Sequence, residues 1–503
     1  MNHFVIAVMF FIACIWSNPA YAKWIEASSD HFIIYANKNE KTVRKFAERL
    51  ELFHAALAYG RTNVLAKPSP SNRVTIFVVG SEGKVQKLAR FGGRNIGGFY
   101  LPRAGATVAF VPELRKASNK FQNSPEQILF HEYAHHFMYG ITDYSYPRWF
   151  SEGFAEFYST VRFEKDGNVG LGLPAAHRAY ELGRATDVPL IELLNTKKYL
   201  ANKRKGYDNF YGKSWLLYHY LTFNPTRRKQ FREYQLRLTN GSNEEEAAEV
   251  FGDIGQLAKD LGVYRRNRKW SYFSRPRAEL KIGQITTRQL RSGEAKMMPV
   301  IMRSKRGVTR EQAIELLPQA QEIAAGFPND PAVQAALAEA EFDAGNNAAA
   351  IAAADRALVK DPRHINALIQ KGYALAALAK DSEEPEIDWK AVRRQFVKAN
   401  KVENDHPIPL LYYYRSYRDA GAEIPEIAVR GLERALEFAP FDSSLRWMVA
   451  NQHAQDRRYD HAIQILRPLA FSPHRSKQSQ LAEQLLEQFE EKRDADGQPQ
   501  ASN

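Results

Sequence analysis

His131-Glu132-Tyr133-Ala134-His135 places two imidazoles four residues apart. On a helix those positions share one face, so both rings can reach one ion. Neutral imidazole nitrogen is a good zinc ligand. Glu132 then stands beside the ion, where it can take a proton from a water. Chance supplies an H-E-x-x-H run about once per hundred chains of this length, so its weight depends on the residues downstream. Pro147-Arg148-Trp149-Phe150-Ser151-Glu152-Gly153-Phe154-Ala155-Glu156 reads as a second helix. Glu152 comes 17 residues after His135, enough chain to turn and return beside the first helix. Its carboxylate would make three protein ligands and leave one position for water, the arrangement of catalytic zinc. Glu156, one turn on, can hydrogen-bond the far nitrogen of a zinc histidine and fix its tautomer. Gly153 permits a neighbouring helix to come close.

The elements around this pair read as strands followed by helices, an α+β pattern. His31 to Tyr35 and Arg73 to Val79 read as strands. Glu40 to Leu57 has helical periodicity, with Val43, Phe46, Leu50, Phe53 and Leu57 on one face. Gly97 to Tyr100 and Thr107 to Val111 form a hairpin pattern around Ala104-Gly105. The H-E-x-x-H helix is predicted over Ser124 to Met138. Ser124 caps it, Pro125 takes its first position, Gln127 completes a capping box, and Gly140 ends it. His136 points about 100° away from His135 and is expected beside the metal ligands or in solvent. His54, His177 and His219 stand alone in the sequence and are read as structural.

The whole chain has 503 residues, more than one compact core holds. Hydrophobic residues make up 44% and charged residues 25%, which excludes a mainly disordered or collagen-like chain. Cys14 is the one cysteine, and it lies in an apolar run from Phe4 to Trp16. That run suits the core of a secretory signal, with Ala20-Tyr21-Ala22 as its cleavage site. Residues 1–22 are therefore expected to be removed after Ala22, giving a periplasmic or secreted protein with no cysteine and no later transmembrane segment. Disulfides and Cys-ligated metals are then excluded.

Net charge is +13, and Lys23 to Arg275 alone carries 39 basic against 25 acidic residues. So lopsided a charge marks the two parts as different domains. The basic residues fall in small separate clusters with no nucleic-acid motif, so no nucleic acid is expected as a partner. The first domain is placed at 23–270 and a connection at 271–306. From 307 to 488 the pattern is helical, Ala-rich and repetitive. Pro331, Pro362, Pro407, Pro440 and Pro473 recur at about the tetratricopeptide period of 34 residues. Gly345-Asn346 falls where such repeats turn, and an acidic insertion, Lys380 to Asp388, lengthens one interval. Residues 489–503 read as a disordered tail.

The two motifs together resemble the gluzincin metallopeptidases of the peptidase MA clan. W-x-x-E-G-x-A-E after H-E-x-x-H characterises that group, and it stands here as Trp149, Glu152, Gly153, Ala155 and Glu156. The chain is most similar to exported DUF1570 proteins, which join such a domain to tetratricopeptide repeats. Their opening strand resembles Trp24-Ile25-Glu26 and His31-Phe32 here. The resemblance implies a zincin-like α+β peptidase domain followed by an all-α tetratricopeptide solenoid. It implies Zn2+ on His131, His135 and Glu152, with Glu132 as general base. It also implies a tyrosine on the oxyanion about sixty residues after the third ligand. Tyr211-Gly212-Lys213-Ser214 supplies Tyr211, with Ser214 where the family has glycine, and Tyr207 competes. The aminopeptidase Gly-x-Met-Glu-Asn strand is missing, and Gly97-Gly98-Phe99-Tyr100 occupies that region. An endopeptidase that pairs an extended peptide or protein with an edge strand is the expectation, its repeats recruiting a protein partner. Hydrolysis of an amide in a cell-wall polymer fits the same residues. The alternative class is an inactive zincin-like domain on a repeat scaffold that acts as a cell-envelope binding protein.

Overall fold

Ile25–Ser28 and the β-prone apolar run Phe32–Ala36 form two strands, β1 and β2, whose burial alternates, with Ile25, Ala27, Phe32, Ile34 and Ala36 buried. In the computed structural model, which describes residues 23–62, 67–89, 97–113, 123–142, 146–202, 206–381, 385–472 and 476–496, they pair antiparallel. The expected signal segment and its cleavage site lie outside those residues. Helix α1 (Glu40–Ala58) follows, capped by Asn39, and buries all five apolar residues read from its periodicity. Strand β3 (Val74–Val78), helix α2 (Glu82–Ala89) and the hairpin of β4 (Phe99–Leu101) and β5 (Val108–Val111) complete this half. β2, β3 and β5 run parallel, and β4 is an antiparallel edge strand.

Helix α3 (Pro125–Ile141) carries the H-E-x-x-H residues, and α4 (Arg148–Ser159) carries Glu152 and Glu156. Ser124 caps α3 by accepting from the Gln127 backbone N–H at 3.0 Å. The capping box does not close, because the Gln127 side chain turns to His177 instead. Gly140 lies inside α3, which ends one residue later. Strands β6 (Arg162–Phe163) and β7 (Val169–Leu171) then lead to short helices α5 (Ala179–Arg184), α6 (Leu190–Leu193) and α7 (Thr196–Ala201). Helix α8 (Phe210–Phe223) packs along α4. Gly153 makes that approach possible: a Cβ there would stand 2.7 Å from the Ser214 carbonyl oxygen. Trp149 is fully buried and donates to the Tyr234 hydroxyl at 3.1 Å. Helices α9 (Pro225–Thr239), α10 (Glu244–Ala248) and α11 (Ile254–Tyr264) close the domain.

The segment 271–306, expected as a connection, is built into both halves. β8 (Phe273–Arg275) pairs with β7. β9 (Thr286–Gln289) pairs with β1 and forms the far edge of a six-stranded sheet ordered β4-β5-β3-β2-β1-β9. Its polar, exposed residues hide it from an apolar pattern. Helix α12 (Ser292–Arg306) runs through Pro299 and starts the helical half, packing on α13 (Arg310–Ala325) and α14 (Pro331–Asp343).

Helices α15 (Asn347–Lys360), α16 (Ile365–Lys380), α17 (Pro385–Val402), α18 (Pro407–Arg418), α19 (Glu426–Phe438), α20 (Ser443–Gln455), α21 (Tyr459–Ala470) and α22 (Lys477–Asp496) continue it. Each packs on the next and, in part, on the next but one, which makes a helical-repeat solenoid. Pro331 and Pro407 open their helices, where a missing N–H costs nothing. Gly345 turns between α14 and α15 at φ +79°. The acidic insertion runs from the last residue of α16 into the first turn of α17, and its residues 382–384 lie outside the described residues, as does Pro473. The tail expected from residue 489 is helical to Asp496, because Leu486 and Phe489 bury against Ala462, Ile463 and Leu466.

The solenoid packs on the first domain. Ala104 at the hairpin turn is buried among Tyr414, Leu432 and Phe441, and its N–H donates to Asp442 at 2.7 Å. Ser71 donates from its backbone N–H and its hydroxyl to Glu403, both at 2.9 Å. Gly105 has φ +64°, and a Cβ there would collide with the His406 ring.

Candidate metal centre

Helices α3 and α4 lie side by side, so the three residues picked from spacing converge. His131 Nε2 and His135 Nε2 are 3.2 Å apart, and each is 3.4 Å from Glu152 Oε2. Tetrahedral bonds of about 2.0–2.1 Å put neighbouring ligand atoms roughly 3.3–3.4 Å apart, so the triangle has the size of a zinc site. Glu152 is fully buried, and among the described residues neither of its oxygens accepts a hydrogen bond. A buried carboxylate without donors is costly unless a cation meets it. Burial raises its pKa, but the facing imidazoles of His131 and His135 outweigh burial and hold it well below the usual carboxylate range. Burial likewise opposes charge on His131, yet Glu152 and Glu156 push its pKa up to about 10. The cluster thus favours positive charge at its centre, and the donor set fits zinc.

Glu156 lies where the tautomer argument needs it, with Oε1 3.3 Å from His131 Nδ1. Its pKa is also well below normal. Burial works against this, and His131, His177 and Arg178 overcome it. His177, read as structural from sequence, is part of the site: its Nε2 meets Glu156 Oε2 at 2.8 Å, and Gln127 Nε2 donates to its Nδ1 at 2.8 Å. Arg178 donates to Glu156 Oε1 and, at 3.1 Å, to Glu181. Neither residue has a local sequence signal. Both precede α5, about twenty residues beyond Glu156, and only the fold returns them.

A cavity of about 230 Å³ opens over this cluster, lined by His131, Glu132, Glu156, His177, Arg178 and Tyr211 among others. Every described residue that lines it belongs to the first domain. Tyr211, in the first turn of α8, thus shares the cavity with Glu132. Its competitor Tyr207 is 58% exposed and gives its hydroxyl to Glu181 at 2.8 Å. Burial, and then the charge of Glu152, push the Tyr211 pKa up to about 12. Its phenol therefore remains a proton donor at neutral pH.

The other histidines lie elsewhere. His219 is buried against Tyr264 and two backbone carbonyls. His136 is neither packed on the His131, His135 and Glu152 group nor free in solvent. It bonds the Tyr100 hydroxyl and packs on Phe441 of the solenoid, ring centroids 4.4 Å apart.

No protein-family model and no curated protein matches this chain. Among solved structures it is similar to TTC0263, a tetratricopeptide-repeat protein of Thermus thermophilus, at 15% identity and TM-score 0.33, over 39% of this chain and 98% of that one. PilF of Pseudomonas aeruginosa gives 17% identity and TM-score 0.32, over 40% of this chain and 86% of that one. Yeast Tom70 gives 14% identity and TM-score 0.26, over 61% of this chain and 65% of that one. At such TM-scores the likeness carries no weight, and the solenoid stands on the packing of α12 to α22.

Proposed function

We propose that this chain is a zinc-dependent peptidase of the gluzincin type, with a zincin-like domain from residue 23 to about 290 and a tetratricopeptide-like solenoid after it. The observation that carries the reading is the buried triangle of His131, His135 and Glu152, with Glu132 and Tyr211 on the same small cavity. His131, His135 and Glu152 would hold the ion. When bound, zinc supplies Lewis-acid polarisation of the scissile carbonyl and brings the pKa of a water to about 7. Glu132 accepts the proton of the attacking water and returns it to the leaving amine. Tyr211 donates its phenolic hydrogen to the oxygen on which negative charge develops. Glu156 keeps His131 in the Nδ1–H tautomer, with Nε2 left for the metal.

The edge strand β4 supports an endopeptidase. Among the described residues it pairs only with β5, and Gly97 just before it faces Ile128 of α3, which lines the cavity. An extended peptide can add along its open edge. Export, with cleavage after Ala22, and recruitment of a protein by the solenoid belong to the same proposal. No helix among the described residues is long and apolar enough to cross a membrane. Glu132→Gln tests the reading: zinc is retained and peptide hydrolysis is lost. A variant that hydrolyses as fast as the parent contradicts it.

A further inference from the structure

Two buried carboxylates stand behind the proposed zinc ligands, and one guanidinium joins them. Glu156 and Glu181 are each 1% exposed. Arg178 donates to both. Beyond Glu181 the connection continues to α8, because the Gly212 backbone N–H donates to Glu181 Oε1 at 2.6 Å. Gly212 directly follows Tyr211, and the Arg178 guanidinium lies 4.8 Å from the Tyr211 ring centroid. One arginine therefore ties the histidine side of the cavity to the tyrosine side.

His177 completes the hold on Glu156. A histidine this near a metal triangle invites reading as a fourth ligand, and the geometry rules against it. Its Nδ1 accepts from Gln127, and its Nε2 faces Glu156, so both nitrogens are committed. With Nδ1 accepting, Nε2 carries the proton and donates to the carboxylate. Glu156 then receives His177 on one oxygen and Arg178 on the other, and the oxygen shared with Arg178 also faces His131 Nδ1. A carboxylate held from two sides cannot rotate away from the histidine it orients.

We propose that His177 and Arg178 are positioning residues for the zinc centre: His177 and Arg178 lock Glu156 onto His131, and Arg178, through Glu181, sets the start of α8 and so Tyr211. The inference rests on the zinc reading of His131, His135 and Glu152. Neither residue is placed to ligate the ion: both nitrogens of His177 are committed to Gln127 and Glu156, and Arg178 is committed to Glu156 and Glu181. Their effect reaches the ion through the orientation and basicity of one imidazole. Losing such an outer partner weakens metal binding about 10–100-fold.

The test uses the full chain after removal of its leader, with zinc affinity read by chelator competition and the visible spectrum read on the cobalt-substituted protein. His177→Ala is expected to bind zinc about 10–100-fold more weakly and to shift the cobalt bands. His177→Gln, whose amide can span Gln127 and Glu156, is expected to restore both. If His177→Ala does not fold, His177→Asn replaces it, since its shorter amide keeps polarity without reaching both partners. Arg178→Lys, which keeps charge but cannot fork between two carboxylates, is expected to lower kcat more than it changes KM. Parental affinity and spectrum in a folded His177→Ala or His177→Asn overturn the inference while leaving the zinc reading intact. A parent that binds no metal overturns the zinc reading itself, and the inference with it.

Discussion

Helix α3 presents histidines on two faces, and the two sets meet different fates. On one face, His131 and His135 look at Glu152 and Glu156. On the other, His136 packs against Tyr100, Tyr133 and Phe441 and lines a cavity of about 620 Å³ between the first domain and the solenoid. His31 and His54 line that cavity too, stacked with ring centroids 3.6 Å apart. The charges diverge accordingly. His131 is pushed up to about 10, whereas burial, with His31 nearby, brings His136 down to about 3. His54 also falls to about 3, from burial and then His31. Histidine alone does not make a metal site. Buried carboxylates beside histidine favour a cation there, and aromatic neighbours leave the imidazole neutral and packed.

The largest effect that would break this contrast is on chemistry. Glu132→Gln should lower the turnover of a cleavable peptide by about 10²–10⁴-fold with zinc content unchanged, measured by hydrolysis rate beside metal analysis. Phe441→Ala strikes the opposite face. Phe441 is 6% exposed and packs on His136, so its truncation should cost about 3–5 kcal/mol in denaturant unfolding, again with zinc content unchanged. Gly153→Ala should act on both stability and metal. Its Cβ would press on the Ser214 carbonyl and on Tyr218, moving α4 and the adjacent Glu152, for about 1–3 kcal/mol of stability and a weaker zinc affinity.

The smallest effect is a pH slope. The folded pKa of His54 lies below its unfolded value of 6.5. The unfolded chain therefore binds the proton first, and stability is lost as pH falls from 6.5 toward 3. The groups facing His54 are His31, Glu51, Tyr133 and His136. The slope from this residue is at most about 1.4 kcal/mol per pH unit. His54→Phe should flatten the acid limb of the stability curve by that amount. An unchanged limb would show that His54 titrates normally.

The proposed metal residues are legible in the sequence because their geometry is local. Positions i and i+4 on α3, and a pair one turn apart on α4, require only helices to be interpretable. Tyr211 needs the family likeness, and the structure sets it apart from Tyr207 by exposure and by the Glu181 bond. His177 and Arg178 are illegible, since their partner Glu156, and Gln127 beside His177, meet them only when the chain folds back after β6 and β7. The segment 271–306 misleads for another reason. An edge strand such as β9 needs no apolar alternation, and Pro299 reads as a breaker although α12 passes through it. Residues from 489 look like tail by charge, yet Leu486 and Phe489, three apart, are the core signal. For His136, the angle on the helix says where a side chain points and nothing about the solenoid that covers it.

The most direct measurement is zinc content per chain in purified protein of residues 23–503, beside Glu152→Ala. The account predicts about one zinc ion per parent chain and far less in the variant, with both folded. No zinc in a folded parent after incubation with zinc at neutral pH, or equal zinc in the two proteins, would contradict it.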